Sequence, residues 1–182
     1  MLVEDETEVL LYPPLRAAWA KRSTQSRVML SGHNAKRVLF GALDVAHGQR
    51  LLLSRRRQRA EDFCAFLRAL RKKFPQKALH LILDSAPSHT AAASQRQARH
   101  LGVELLFLPV RSPELNPMDS LWRHAKQTLC ANHQYPDLID EVQALLQYFD
   151  RLADPEVLRK AGVLSKRFWL KHVRSKLICG LT

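Results

Sequence analysis

Three aspartates stand in short polar strings that interrupt apolar stretches of the chain. Asp5 lies in "EDET", Asp84 in "LILDSAPSH" and Asp119 in "LPVRSPELNPMDSLW". Each stands where the end of a strand or helix could direct its carboxylate toward a shared point. Because like charges repel, carboxylates that converge usually hold divalent cations between them. The chemistry that these residues indicate is therefore metal-dependent.

The charge balance of the chain suggests what such cations would act on. The 182 residues include 29 Lys and Arg against 17 Asp and Glu, which gives a formal net charge of +12 at pH 7. An excess of this size favours a polyanionic partner, and a nucleic-acid phosphodiester is the substrate that suits bound Mg²⁺. The alternative is a basic protein that its charge merely keeps soluble.

Composition also restricts the setting in which the chain works. The hydrophobic content of 46% fits a globular protein with one sizeable core. The three cysteines show no metal-ligand spacing, and the sequence has neither a membrane-length apolar run nor a signal peptide. We therefore expect a single domain in a reducing cytoplasm and without a membrane partner.

Periodicity indicates the elements that must position the aspartates. Residues 2–12 alternate between two faces, which predicts a strand with one covered side, and Asp5 lies on that side. Further strands are predicted in "KRVLFGALDV", "QRLLLS", "ALHLILD" and "VELLFL". Helical spacing predicts helices that end at Pro75, run from Thr90 to Leu101, start at Asn116, and follow Pro136 and Pro155.

The resulting order, β-β-β-α-β-α-β-α, predicts an α/β fold. Its mixed sheet would consist of an antiparallel three-strand meander continued by parallel strands, with helices on both faces. This is the ribonuclease-H-like order, and it places the ends of the first and fourth strands side by side. We expect the two tryptophans Trp19 and Trp122 to lie in the core.

Each aspartate also has an ordinary structural explanation. Asp84 could serve only to form the turn that follows its strand. Asp119 stands three residues after Asn116, as in a capping box, and an acid in the first turn favours the helix dipole. Asp5 has glutamates on both sides, so a solvated acidic edge is the default interpretation. Taken singly, none of the three is decisive.

Taken together, the strings resemble the catalytic domain of mariner-like transposases and their bacterial insertion-sequence relatives. There, "DE", "LD-A--H" and "LP--SPELNP-(D/E)--W---K" carry the three acids. The 34 residues between Asp84 and Asp119 agree with the spacing in that family. The resemblance extends over almost the whole chain, through Trp19, "FGAL" at 40–43 and "FW" at 168–169. Departures are Ser85 in place of the usual Asn, and Arg111 where an aromatic residue is common.

The resemblance implies a two-metal reaction on DNA. Asp5, Asp84 and Asp119 would be both catalytic residues and ligands of two Mg²⁺ or Mn²⁺ ions. The chain would cleave DNA and transfer the freed 3′-hydroxyl into target DNA, which moves an insertion sequence. Two alternatives remain open. One is a stand-alone ribonuclease-H-like nuclease, and the other is a truncated remnant that binds DNA or a sister transposase without catalysis.

The resemblance also concerns domain organisation and partners. The family carries an N-terminal helix-turn-helix region that reads the ends of the element, and this chain has no such segment. We expect residues 1–182 to be the catalytic domain alone. Its partners would be element ends and target DNA, together with a second copy of the chain in a homodimer or a separately encoded helix-turn-helix subunit. The resemblance further implies a bacterial cytoplasm and association with the nucleoid.

Weaker candidates surround the three acids. His89 could contact the substrate or brace its loop, and Asn116 could orient the metal-bearing turn or only cap a helix. Candidate contacts to DNA phosphates are basic residues, although runs of surface arginines are commonly just solvated. These candidates are Arg55, Arg56, Arg57, Arg59, Arg111 and Lys126.

Overall fold

A computed structural model of the chain describes residues 1–24, 27–30, 32–76 and 78–173. Within them, five strands form one mixed sheet in the order β3-β2-β1-β4-β5. β1 and β2 pair antiparallel, as do β2 and β3, while β4 lies parallel to both β1 and β5. The predicted meander and its parallel extension are confirmed. The strands are β1 (Leu2–Leu10), β2 (Lys36–Asp44), β3 (Arg50–Arg55), β4 (Leu79–Leu83) and β5 (Val103–Phe107).

Six helices occur in the described part of the chain, mostly where the apolar spacing predicts them. The predicted helix from Thr90 to Leu101 is wrong in one respect, because Ala91 is extended (ψ 138°) and separates two helices. Gly102 adopts the left-handed conformation (φ +61°) expected of a helix end. None of the described helices is long and apolar enough to cross a membrane. The helices are α1 (Ala60–Lys73), α2 (Pro87–Thr90), α3 (Ala92–His100), α4 (Pro117–Leu129), α5 (Leu138–Arg151) and α6 (Asp154–Lys160).

Hydrophobic cores cover both faces of the sheet. On one face, Val3 and Val9 pack with the apolar residues of α4, α5 and α6. On the other face, Leu2 packs with α1 and α3. The prediction of one covered side for β1 is therefore wrong, because β1 lies between β2 and β4 and receives helices on both faces. Trp122 lies in the core as predicted, whereas Trp19 is fully exposed.

Gly41 sets how closely α4 approaches the sheet. A Cβ atom on Gly41 would lie 2.6 Å from Met118 Cε and 2.6 Å from Trp122 Cζ2. These distances are shorter than van der Waals contact, so only a residue without a side chain allows this approach. Gly41 is paired with Asp5 in the β1–β2 ladder. The close packing therefore places the beginning of α4 beside Asp5.

Candidate active site

Two of the three predicted acids lie on neighbouring parallel strands. Val3 of β1 pairs with Ile82 of β4. Asp5 and Asp84 each follow two residues later, so the register brings them to the same level. Asp84 comes directly after the last residue of β4, which is the edge where open α/β sheets place their sites. Side-chain alternation directs both acids to the face that α4 covers.

Asn116 connects the beginning of α4 to the middle of β1. Its Oδ1 accepts a hydrogen bond from the Met118 N–H at 3.0 Å, which caps the helix. Its Nδ2 donates to the backbone oxygen of Glu4 at 2.9 Å, and the side chain is buried. The two interpretations of Asn116 are thus compatible, since one amide both caps α4 and fixes its position on β1.

Asp119 occupies the first turn of α4 but does not form a capping box. Its carboxylate accepts a hydrogen bond from Arg123 at 2.5 Å. The Asn116 N–H, which a capping box would use, instead donates to Pro113 O at 3.0 Å. The ordinary explanation of Asp119 by capping therefore lacks its main contact. Its side chain remains 44% exposed, so its carboxylate is accessible to a ligand.

All three aspartates line a single cavity of about 480 Å³. The loop of residues 108–113 closes one side of it, and Asn116 lies in its wall. In the described part of the chain, a different group of possible ligand atoms is the tightest. The ligand atoms of Glu4, Glu6 and His89 all lie within 4.8 Å of one another.

The cavity is electrostatically unfavourable for Asp5. Burial, together with the negative charges of Glu6, Asp119 and Asp84, raises the pKa of Asp5 from 3.8 to about 7. Asp84 behaves in the opposite way. A hydrogen bond from His89 lowers its pKa against the effect of burial, and the Ala86 N–H assists. Asp5 therefore lies in the combined field of the other two candidate acids.

Behind the cavity, His89 forms a buried ion pair. It is 0% exposed, and its Nδ1 donates to Asp84 Oδ1 at 2.9 Å while its Nε2 donates to Glu6 Oε1 at 2.8 Å. Ionised carboxylates only accept hydrogen bonds, so both ring nitrogens must carry protons. Burial alone would lower the pKa of His89, but these hydrogen bonds and the charges of Glu4 and Glu6 raise it to about 11.

The cluster of Glu4, Glu6 and His89 therefore forms a buried network of ion pairs and hydrogen bonds. A doubly protonated imidazole has no lone pair to offer, so a cation could bind here only by displacing a proton of His89. Glu4 is fully buried, and its Oε2 atom lies 3.5 Å from His89 Nε2. Burial together with the charge of Glu6 raises the pKa of Glu4 well above the ordinary value. The default interpretation of a solvated acidic edge is wrong for Glu4 and Glu6, whose side chains are buried. It applies only to Glu8, whose side chain is 51% exposed.

The basic candidates fall into three places. Arg111 lines the cavity of the aspartates and has a left-handed backbone (φ +60°). Lys126 lies in a separate cavity beside Glu8 and Glu141, where burial lowers its pKa. The four arginines before α1 line a third cavity of about 640 Å³. That cavity is lined by Arg55, Arg56, Arg57 and Arg59 together with Arg37, Ser54, Glu61 and Asp62.

Several residues of the site were missed from the sequence. Arg37 joins the arginine cavity because β2 pairs with β3, and Val38 is opposite Arg55. Trp169 donates from Nε1 to Leu115 O at 2.9 Å and so holds the turn before Asn116. The "FW" string was a signal for this contact, but nothing in it specified the partner.

Comparisons with known proteins agree with this arrangement. The sequence model of the family described as DDE superfamily endonuclease matches residues 1–141. The "Insertion element IS630 uncharacterized 39 kDa protein" of Shigella sonnei is 29% identical over 133 residues, which cover 72% of this chain and 39% of that protein.

Solved structures show the same fold. The Mos1 mariner paired end complex with Mn superposes with a TM-score of 0.70 at 22% identity, over 98% of this chain and 54% of that chain. The catalytic domain of Mos1 mariner transposase superposes with a TM-score of 0.61 at 20% identity, over 98% of this chain and 80% of that chain. The predicted ribonuclease-H-like fold is confirmed.

The chain spans about half of the Mos1 chain in the paired end complex and 39% of the Shigella protein. The family match nevertheless covers most of its 182 residues and includes the three aspartates, the loop of residues 108–113 and the first turn of α4. On this ground the chain belongs to the DDE superfamily endonuclease family.

Proposed function

We propose that the chain is the catalytic domain of a transposase that cleaves DNA and joins its 3′ ends to target DNA, thereby moving a bacterial insertion sequence. One observation carries the proposal: Asp5, Asp84 and Asp119 come from three separate elements and line one cavity. The net charge of +12 supports a polyanionic substrate for that cavity. The relatives named above are a transposase and a protein of an insertion element.

The residues of the cavity suit divalent cations. Asp5 carries a pKa raised to about 7 by burial and neighbouring negative charge, so a bound cation would relieve an existing repulsion. The three acids offer only carboxylate oxygens, which favour Mg²⁺ or Mn²⁺ over softer metals. We propose two ions held by Asp5, Asp84 and Asp119. When bound, they would supply Lewis-acid activation and charge stabilisation at a phosphodiester.

The side chains of the protein have distinct tasks in this proposal. Asp5 lies on β1, Asp84 directly follows β4, and Asp119 is carried by the capped helix α4, so the three carboxylates approach from different directions. Asn116 maintains the distance between helix and strand. Because this geometry exists before the substrate binds, little reorganisation would be needed during the reaction.

Arg111 is the first candidate contact to the DNA backbone. It lines the same cavity as the aspartates. Its left-handed backbone, at φ +60°, costs about 1 kcal/mol for a residue other than glycine. Residues held at such a cost are concentrated at ligand sites. A guanidinium at this position can form paired hydrogen bonds with a phosphate beside the cleaved bond.

The arginine cavity extends this contact along the edge of the sheet. β3 runs in the same direction as β1, since both are antiparallel to β2. The carboxyl end of β3 therefore lies at the same edge as Asp84. We propose that Arg55, Arg56, Arg57 and Arg59 contact phosphates further along the DNA. Lys126 belongs to the proposed set on charge alone, since it lies in another cavity.

We further propose that recognition of the element ends requires another protein surface. The chain matches only 39% of the Shigella relative and 54% of the Mos1 chain. A separately encoded helix-turn-helix region or a second copy of the chain would supply this surface. The complex would act on DNA in the bacterial cytoplasm, at the nucleoid.

A nicking assay tests the proposal. A supercoiled plasmid with or without candidate inverted repeats is incubated with the chain and with Mg²⁺ or Mn²⁺. We expect nicking that requires metal, disappears in Asp84→Ala and persists in Asp140→Ala, which removes an exposed aspartate of α5. Dependence on the repeats would favour a transposase over a general nuclease, whereas nicking without it fits both, because the proposed recognition of the element ends lies on another protein surface. DNA binding without metal-dependent nicking contradicts the proposal and favours a non-catalytic remnant.

A further inference from the structure

The carboxylate of Asp84 is held by two hydrogen-bond donors that follow it in the chain. Its Oδ1 accepts two hydrogen bonds, from the Ala86 N–H at 2.9 Å and from His89 Nδ1 at 2.9 Å. His89 Nδ1 also lies 3.1 Å from the backbone oxygen of Asp84. With Oδ1 engaged in this way, Oδ2 is the oxygen left to face a ligand in the cavity.

His89 is itself immobilised. Its ring is completely buried and contacts Phe63 of α1, with ring centroids 4.5 Å apart. Its Nε2 donates to Glu6 Oε1 at 2.8 Å, and the Glu6 side chain is only 5% exposed. Glu6 is the residue after Asp5 on β1. The contacts from Glu6 through His89 to Asp84 therefore connect β1 with the end of β4.

We propose that His89 is a positioning residue that fixes the Asp84 carboxylate for cation binding and that Glu6 is its anchor. This inference rests on the proposed function, because it assigns a role within the same site. Asp84 lies at the start of a loop, and repulsion from Asp5 and Asp119 would turn a free carboxylate away from them. The hydrogen bond from His89 opposes that rotation. Partners that orient ligating side chains commonly change metal affinity by about 10–100-fold when removed.

Two isosteric substitutions separate the contacts of His89. In His89→Asn the amide nitrogen occupies the place of Nδ1, so the hydrogen bond to Asp84 is kept and that to Glu6 is lost. In His89→Gln the amide nitrogen lies near the place of Nε2, so the hydrogen bond to Glu6 is kept and that to Asp84 is lost. Both variants replace the ring with an uncharged amide, so the difference between them isolates the contact with Asp84.

The measurement is a calorimetric titration of the protein with Mn²⁺ in the absence of DNA. We expect His89→Gln to weaken Mn²⁺ binding by about 10–100-fold and His89→Asn to weaken it by much less. In the nicking assay, we expect a higher Mn²⁺ concentration to restore the activity of His89→Gln. A purely structural role of His89 would lower thermal stability in both variants without this difference in metal affinity.

A second pair of variants examines the anchor and remains informative if the buried His89 cannot be replaced without unfolding. Glu6→Gln keeps an oxygen that can accept from His89 Nε2, whereas Glu6→Ala removes it. We expect Glu6→Ala to weaken Mn²⁺ binding by roughly tenfold or more and Glu6→Gln to have a smaller effect. Equal losses in the two variants would make Glu6 a metal ligand itself and contradict its role as an anchor.

The remaining outcomes also decide the question. Mn²⁺ affinities of both His89 variants that equal that of the unsubstituted chain overturn the positioning role. Equal weakening by His89→Asn and His89→Gln, with both folded, overturns it as well. If the unsubstituted chain binds no Mn²⁺ at all, the proposed function fails and the inference fails with it. Mn²⁺ binding that ignores His89 contradicts the inference alone.

Discussion

At the scale of single residues, the site keeps one acid in a high-energy state. Asp5 is partly buried and faces the charges of Glu6, Asp119 and Asp84, which together with burial raise its pKa to about 7. Asp84 is relieved by the hydrogen bond from His89, whereas the one from the Glu6 backbone N–H lowers the pKa of Asp5 too little to offset burial and repulsion. Sites that hold unfavourable groups for function lose stability in the absence of their ligand.

This strain predicts the effect of Asp5→Asn. Between pH 4 and 7, folded Asp5 keeps a proton that the unfolded chain, with a pKa of 3.8, has released. The free energy of unfolding therefore falls as pH rises through this window. We expect Asp5→Asn to stabilise the metal-free protein at pH 8 by up to about 4 kcal/mol, to change it little near pH 4, and to abolish metal-dependent nicking.

Urea unfolding at the two pH values measures this effect. The matched control is Asp140→Asn, which removes an exposed aspartate of α5 that does not line the cavity. The control should not show a gain that grows with pH. An equal gain for Asp5→Asn at pH 4 and pH 8 would mean that repulsion at Asp5 is not the cause.

At the scale of elements, the site depends on how closely α4 lies on the sheet. Asp119 is carried by the first turn of α4, and its distance from Asp5 is set by Gly41 below and by the Asn116 contact with β1. The helix and the strand belong to distant parts of the sequence. Their relative position is therefore a property of packing and not of local preference.

Gly41→Ala tests this dependence. The new methyl group would lie 2.6 Å from Trp122 Cζ2, a ring atom that cannot move aside as easily as the end of Met118. We expect a loss of about 1–3 kcal/mol in the free energy of unfolding and a large loss of nicking at pH 8. Circular dichroism during thermal unfolding and the plasmid assay give the two measurements.

Gly162→Ala provides the control for Gly41→Ala. Gly162 has a positive φ of +73° but no atom within 4 Å of an added Cβ, so only backbone strain of about 1 kcal/mol applies. Nicking by Gly162→Ala should match that of the unsubstituted chain. If Gly41→Ala keeps full nicking activity, the approach of α4 does not control the position of Asp119.

At the scale of the whole molecule, the order of the elements and the neighbouring ends of β1 and β4 were predicted from alternation, helical spacing and the rule that parallel strands end at one edge. The place of Asp119 beside Asp5 and Asp84 was expected only from the resemblance of the motifs, because local patterns do not show how α4 packs on the sheet. Glu4 and Glu6 could not be placed in the same way. Alternation puts them on one face of β1, but that face is buried only because α1 packs there. Glutamates at buried positions contradict the usual polarity pattern, and their partner His89 lies more than 80 residues away.

The distribution of charge predicts how the molecule holds DNA. Each arginine that neutralises a phosphate contributes about 0.9 to the slope of the logarithm of affinity against the logarithm of salt concentration. We expect Arg56→Ala combined with Arg57→Ala to lower this slope by about 2, while Arg55→Ala has less effect because Arg55 pairs with Asp62 at 2.8 Å. Fluorescence anisotropy with a labelled duplex over a series of KCl concentrations measures the slopes.

Arg151→Ala combined with Arg159→Ala serves as the control, because these arginines are exposed in the last turns of α5 and α6. The end of α5 lies at the sheet edge opposite Asp84, since Arg50, at the start of β3, donates a hydrogen bond to the backbone of α5 there. Equal slopes for the two double variants would show that DNA binds any basic surface of the protein and not specifically the sheet edge that carries the aspartates.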